Sequence, residues 1–407
     1  MAGNDWTVKT FGECAQLIRE SVRPEEVVGM PYIGLEHILE GQLRLDSIGI
    51  ADQVTSLKSR FQTGDILFGK LRPYFRKLII APFDGVCSTD IWVVRSKTGI
   101  FQRFLFYWMA SYAFIEESTR ASEGTKMPRA QWGFVSRIKK SIPPLHEQRA
   151  IACILGALDD KIELNRRMNE TLEQIAQAIF KKWFIEPTKN ARQKDGGQGL
   201  PEGWREDSIY LAADVIYGAP FSSAKFNTKK IGKPLIRIRN LANESPDVFT
   251  PEIHPKGYLV KPGDIVVGMD GEFRAYIWGG EKSWLNQRLC VFIPKPGFSA
   301  PYVLYSITRP LAEVEATETA TTVIHLGKND IDRFKIIIAP DKILASFNRI
   351  AEPLFKRIVL NKQKSRTLAA LRDSLLPKLI SGELRVPDAE KICARGASAL
   401  GGMEKCS

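Results

Sequence analysis

Two stretches of the chain, about residues 146–184 and 342–381, carry apolar residues at a spacing that a helix gathers onto one face. In the first, Ile151, Leu158, Asn165, Leu172 and Ile179 recur every seven residues, as do Leu155, Ile162, Asn169, Ala176 and Trp183. In the second, Phe347, Leu354, Asn361, Leu368 and Leu375 form one seam, with Leu344, Ala351, Ile358 and Leu379 on the other. Two seams at heptad spacing predict long helices that pair as a coiled coil. Both stretches are almost free of Gly and Pro, and Pro353 and Pro377 are expected to kink the second helix or mark its last turns. Asn165 and Asn361 hold matched seam positions, where a polar residue fixes register if it pairs and otherwise faces solvent. A helix of about 39 residues spans about 58 Å, so such a rod would set a distance.

Elsewhere the pattern changes. Residues 1–141 and 201–340 hold short β-branched and aromatic runs, such as "DIWVVRS" and "LCVFIPKPG", broken by Gly and Pro, as sheets with irregular loops require. The expected organisation is α+β. A β-rich domain (1–143) is followed by a helix (144–186), a polar glycine-rich linker (187–200), a second β-rich domain (201–340), a second helix (341–384) and a disordered tail (385–407).

The chain also repeats itself. A shift of 196 sets Asn165 on Asn361, Ile142 on Ile338, Pro144 on Pro340, Ile154 on Ile350, Leu158 on Leu354, Ile162 on Ile358, Leu172 on Leu368 and Lys182 on Lys378. With small changes of shift, "GDILFG" (Gly64 to Gly69) falls on "GDIVVG" (Gly263 to Gly268), "MPYIGLEHI" on "KPLIRIRNL", and Trp6 on Trp204. The two halves are copies of one unit, a β-rich domain followed by a long helix.

Composition narrows the class. The 407 residues carry a formal net charge of +12, with 44% hydrophobic and 26% charged residues, which suits a soluble protein of two or three domains. No apolar run approaches the length of a membrane span, and "MAGNDWTVKT" lacks a hydrophobic signal core, so a cytoplasmic location is expected. Six scattered cysteines without a C-x-x-C pair predict free thiols rather than disulfides or zinc. Gly64, Gly69 and Lys70 nearly match a phosphate-cradling loop. However, Asp65-Ile66-Leu67-Phe68 reads as a strand, Leu71 stands where a magnesium-binding hydroxyl should be, and Pro73 opposes the required helix.

The positive charge is clustered. Between Lys58 and Lys77 lie Lys58, Arg60, Lys70, Arg72, Arg76 and Lys77 against the single acid Asp65. Lys126, Arg129, Arg137, Lys139 and Lys140 follow without any acid among them, interleaved like the first group with aromatics: Tyr74, Phe75 and Trp132. Such a surface suits a nucleic-acid backbone and groove. In the second copy the strand is kept and "KLRPYFRK" is replaced. The candidates there are Arg237, Arg239, Asn240, Arg274, Asn286, Gln287 and Arg288, because Arg can bond guanine, and Asn or Gln adenine, with two hydrogen bonds. Two related domains on a rod suit double-stranded DNA. Catalytic constellations are missing: there is no amino-methyltransferase tetrapeptide, no glycine-rich cofactor loop, and His37, His146, His254 and His325 are isolated.

The run "IPPLHEQRAIACILGALDDKIELNRRMNETLEQIAQAIFKKWF", its diverged copy ending "TLAALRDSLLPKLISGEL", the "LPEGW" that opens the second domain and the duplicated "GDILFGKLRP" segment together resemble the specificity subunit of type I restriction-modification systems, over about residues 1–385. The resemblance implies two target-recognition domains, each reading half of a bipartite DNA site, and two helices pairing antiparallel as a ruler that also docks partners. It further implies a non-catalytic chain with no cofactor of its own. The partners would be two adenine-methylating subunits that bind S-adenosylmethionine and motor-nuclease subunits that use ATP and magnesium. Where the first copy has "PPLHEQRAI" the second has "APDKILASF", so the docking surfaces need not be equal. A recognition half of a split restriction-methylation enzyme or solitary adenine methylase remains the alternative.

Overall fold

The computed structural model describes residues 5–120, 122–123, 127–194, 199–318 and 325–386. It divides into two compact units, Met1–Asp160 with Ala369–Ser407, and Lys161–Leu368.

The first unit is built on a four-stranded antiparallel sheet in the order Ala15–Ile18, Ile91–Ser96, Ile66–Gly69, Leu78–Ile80. The central strand is apolar at every position because both of its faces are covered. Phe68 stacks on Trp92 in one core, while Leu67 joins Ile79, Ile91 and Val93 in another. A five-stranded sheet runs Ser21–Val22, Lys58–Phe61, Gly85–Cys87, Pro31–Ile33, Gly49–Ile50, with one parallel pair, Tyr32 beside Val86. Thr7–Thr10 pairs with Lys139–Ile142, and helices Gln102–Ala110 and Tyr112–Arg120 pack against the first sheet.

The second unit repeats this plan. Its first sheet runs Ala213–Tyr217, Leu289–Pro294, Ile265–Gly268, Ala275–Ile277. Its second runs Phe249–Thr250, Lys233–Ile236, Ser283–Leu285, Leu259–Val260, again with one parallel pair, Leu235 beside Trp284. Arg205–Ser208 pairs with Lys335–Ile338, and a single helix, Ala300–Glu318, replaces the two of the first unit. The duplicated Gly-Asp builds the same turn in each copy. Gly64 and Gly263 take φ of 88° and 95°, conformations that favour glycine. Asp65 and Asp264 accept the backbone N–H of Gln62 and Lys261 at 2.8 and 2.9 Å. This motif ends a strand-forming turn and is not a phosphate loop.

The first long helix is Leu145–Phe180 and the second Asp341–Ser381. The first does not stop where the linker was expected. A π turn, Lys181–Ile185, leads into a further helix, Glu186–Lys194, so residues 187–194 are helical, and Pro187 is accepted because it lies in the first turn of the resumed helix. Pro353 and Pro377 both lie within the second helix. All but the first two residues of the expected tail, 385–407, fall outside the described part.

The helices run antiparallel within each unit. In Lys161–Leu368, Asn165 faces Ser365, Asn169 faces Asn361, and Phe180 and Phe184 pack on Phe347. In the other unit Asp159 meets Arg372. Ile151, Leu155, Asn165, Phe347, Ile358 and Asn361 are buried, and Leu158, Ile162, Leu172, Ile179, Leu354, Leu368 and Leu375 are half-buried, as the heptads predict.

Candidate nucleic-acid interface

The basic cluster from Lys58 to Lys77 separates into two kinds of side chain. Lys58 is 3% exposed, and its ammonium donates to the Ser56 carbonyl and hydroxyl at 2.6 and 2.7 Å, with burial lowering its pKa. Arg76 is equally buried, donates through Nε to the Ala110 carbonyl at 2.8 Å and lies 4.7 Å over the Tyr112 ring. Lys77 donates to the Leu35 carbonyl at 2.7 Å. These three cations hold the fold together, which corrects the expectation that they face DNA. Arg60 pairs with Glu20 at 3.4 Å.

What remains is the loop itself. Gly69 and Lys70 leave the central strand, and a short turn, Pro73–Phe75, is flanked by Arg72 and Arg76, both at φ 50°. A non-glycine residue in this left-handed region costs about 1 kcal/mol or more, and at Arg76 the buried contacts offset it. The consequence is a projecting loop that exposes Arg72 and Tyr74. Arg129 crosses beside it, and its guanidinium binds Asp90 at 2.8 and 3.2 Å. Lys126 lies outside the described residues.

In the second domain the equivalent strand exit is Gly268 and Met269. The main-chain contacts match: Lys70 N–H donates to the Asp90 carbonyl and Met269 N–H to that of Arg288, at 2.9 and 3.0 Å. Ala130 N–H donates to the Lys70 carbonyl and Leu326 N–H to that of Met269, at 2.9 and 2.7 Å. Asp270 here receives both His325, at 2.7 Å, and Arg288, at 3.4 Å. Arg274, Gln287 and Arg288 are exposed, Arg274 pairing with Glu272 at 3.0 Å, and the Asn286 side chain accepts the Gln287 N–H at 2.7 Å.

Arg237, Arg239 and Asn240 form a separate cluster that closes on Asp247. Arg237 and Arg239 donate to its two oxygens at 2.7 and 2.6 Å, and Asn240, 3% exposed, donates at 3.2 Å. Burial alone would raise the Asp247 carboxyl, but the hydrogen bonds from Arg237 and Asn240 outweigh it and hold the pKa below the ordinary value. Buried Asn240 is therefore a scaffold residue and not an adenine reader, correcting the reading of its amide. Asp270 was missed because its contact with His325 joins distant segments, and Asp247 because the turn that brings it back onto Arg237, Arg239 and Asn240 leaves no periodic signal.

No helix among the described residues is long and apolar enough to cross a membrane. None of these residues form a group of three or more His, Cys, Asp or Glu able to hold a metal ion.

The type I restriction modification DNA specificity domain matches the chain twice, over residues 4–174 and 215–369. The type I restriction enzyme MjaIX specificity subunit of Methanocaldococcus jannaschii is 31% identical over 72% of this chain and 71% of its own. The HindI specificity subunit of Haemophilus influenzae is 22% identical over 94% of this chain and all of its own (100%). The type I restriction-modification S subunit from M. genitalium, known from its crystal structure, shares the fold with a TM-score of 0.55 at 14% identity, over 93% of this chain and 98% of that one. With its two matched domains, built on four-stranded sheets of the same order, the chain belongs to the family of type I restriction-modification DNA-specificity subunits.

Proposed function

We propose that the chain directs a type I restriction-modification complex to a bipartite DNA sequence, each β-rich domain reading one half. The observation that carries this reading is the pairing of a conserved scaffold with unlike loops. The first sheets of the two units have the same strand order, yet the exposed loops beside them present Arg72 and Tyr74 in one and Arg274, Gln287 and Arg288 in the other. A rigid sheet that aims a variable loop suits base recognition, and two different loops suit two different half-sites.

The chain's own part is recognition. Adenine methylation with S-adenosylmethionine, and ATP- and magnesium-dependent translocation and cleavage, are assigned to two methyltransferase subunits and to motor-nuclease subunits, with the helices as docking elements. The test is methylome sequencing of cells that express the methyltransferase subunit with and without this chain. An adenine-methylated motif that requires the chain supports the proposal, and an unchanged methylome despite active methyltransferase refutes it.

A further inference from the structure

A cavity of about 370 Å³ opens in the first domain beside the strand exit, walled by Arg19, Ser59, Lys70, Thr89, Gln131 and Trp132 among others. Its cations are unequal. Arg129, also in the wall, is neutralised by Asp90. Among the described residues neither Arg19 nor Lys70 makes a side-chain hydrogen bond or ion pair; Arg19 is exposed and Lys70 half-buried. Two uncompensated cations lining one cavity, whose floor is the apolar strand pair Leu17–Ile18 and Ile91–Val93, repel each other, and an anion relieves that repulsion.

The scaffold does not require these charges. Lys70 is fixed by main-chain bonds on both sides, and the same bonds in the second domain hold Met269. Ile18 pairs with Val93 as Ile216 pairs with Val291, so Arg19 corresponds to Tyr217. One copy of the duplicated unit thus carries a Lys and an Arg where the other carries Met and Tyr. Hydroxyl and amide groups of Ser59, Thr89 and Gln131 complete a wall rich in donors. A volume near the lower end of small-ligand cavities has room for a phosphate together with its sugar.

We propose that this cavity seats one phosphodiester of bound DNA, with Lys70 and Arg19 closing on the phosphate. The first domain then grips the backbone at a point where the second does not. The proposal rests on the DNA-specificity reading and adds a division of labour to it: these two side chains position the strand, and the exposed loops read bases.

The test is to give the first domain the residues of the second, Lys70→Met with Arg19→Tyr, in the full chain assembled with its methyltransferase subunits. Arg19→Gln, at an exposed position, serves as a milder second variant, and thermal melting checks that both fold. Binding to cognate and non-cognate duplexes is measured against salt. The expected result is a slope of log K against log salt that is shallower by about 0.9, one phosphate's worth, with affinity lost on both duplexes alike and the methylated motif unchanged. An unchanged slope and affinity overturns the proposal. So does a change of base preference at one position with the slope intact, which makes the cavity a base reader. Thermal stabilisation by adenosine monophosphate that the variant loses, without any change in the DNA slope, assigns the cavity to a free nucleotide and also overturns it. If the wild type fails to discriminate cognate DNA while the slope still falls in the variant, the phosphodiester site stands and the specificity reading fails.

Discussion

The Asn361 amide donates to the Asn169 side-chain oxygen at 2.9 Å across the antiparallel helices, and Asn169 in turn donates to the Ile358 carbonyl at 3.3 Å. A shift of 196 carries Asn361 onto Asn165 and Ser365 onto Asn169, so the Asn165–Ser365 bond at 3.2 Å is the duplicated counterpart of this pair. Asn361 is 0% exposed, and its own side-chain oxygen has no partner. Such a pair contributes little net stability but penalises any slip of one helix along the other, which would bury unpaired amides.

Replacing Asn169 by Ala therefore destabilises by about 1–3 kcal/mol, because it strands the Asn361 amide in the seam. Asn169→Leu combined with Asn361→Leu recovers most of that loss. A double-mutant cycle on the melting temperature measures the coupling, and additive single effects contradict the pairing.

Arg372, 4% exposed, donates to Asp159 at 2.7 Å, and the Tyr107 hydroxyl donates to the other Asp159 oxygen at 2.6 Å. Arg372→Met removes the cation and leaves a carboxylate against a buried tyrosine. The expected cost is about 3 kcal/mol, read as a lowered melting temperature. Adding Asp159→Leu restores part of it.

Cys87 and Cys290 lie in the cores, where burial pushes their thiols up to about 12, and burial raises Cys14 to about 11. Since the thiolate is the reactive species, iodoacetamide at pH 8 leaves these three unmodified in the folded protein. Half-buried Cys153 reacts before them. Peptide mass spectrometry of alkylated native protein checks the order.

Glu163 accepts hydrogen bonds from Arg166 and Arg167, which hold its carboxyl at about 2 against an ordinary 4.5 in spite of partial burial. A depressed carboxyl stabilises the fold above its unfolded pKa, and the contribution is lost as pH falls from about 4.5 toward 2. The side chain is 35% exposed, so screening leaves about 0.5 kcal/mol. Glu163→Gln is less stable than wild type at pH 7 and equal to it near pH 2.

The seams, the duplication and the strand at Gly64 to Gly69 were legible in the sequence because each rests on local periodicity or on self-similarity. The partners of the seam asparagines were not, since register between distant helices decides them: Asn165 finds Ser365 and Asn361 finds Asn169. Charge counts identified the basic cluster but could not say which members turn inward. Arg76 and Lys77 are captured by carbonyls from other segments, which nothing in their own neighbourhood signals, whereas Lys58 turns back onto Ser56, two residues away. Arg19 was overlooked because it stands outside the cluster, although the substitution of Met269 for Lys70 was visible once the two copies were aligned. Residues 187–194 looked like a linker because they are polar, yet a helix continues through a polar segment once a preceding one has nucleated it.

The central claim is that the two domains read separate half-sites. Its most direct test is the methylated motif of cells carrying the chain with Gln287→Ala and Arg288→Ala, compared with wild type and sequenced at single-base resolution. The expected wild-type motif is two specified blocks around an unspecified spacer, with the variant relaxing one block while the other block and the spacer length stay fixed. A single contiguous motif, or a variant that alters both blocks together, would contradict it.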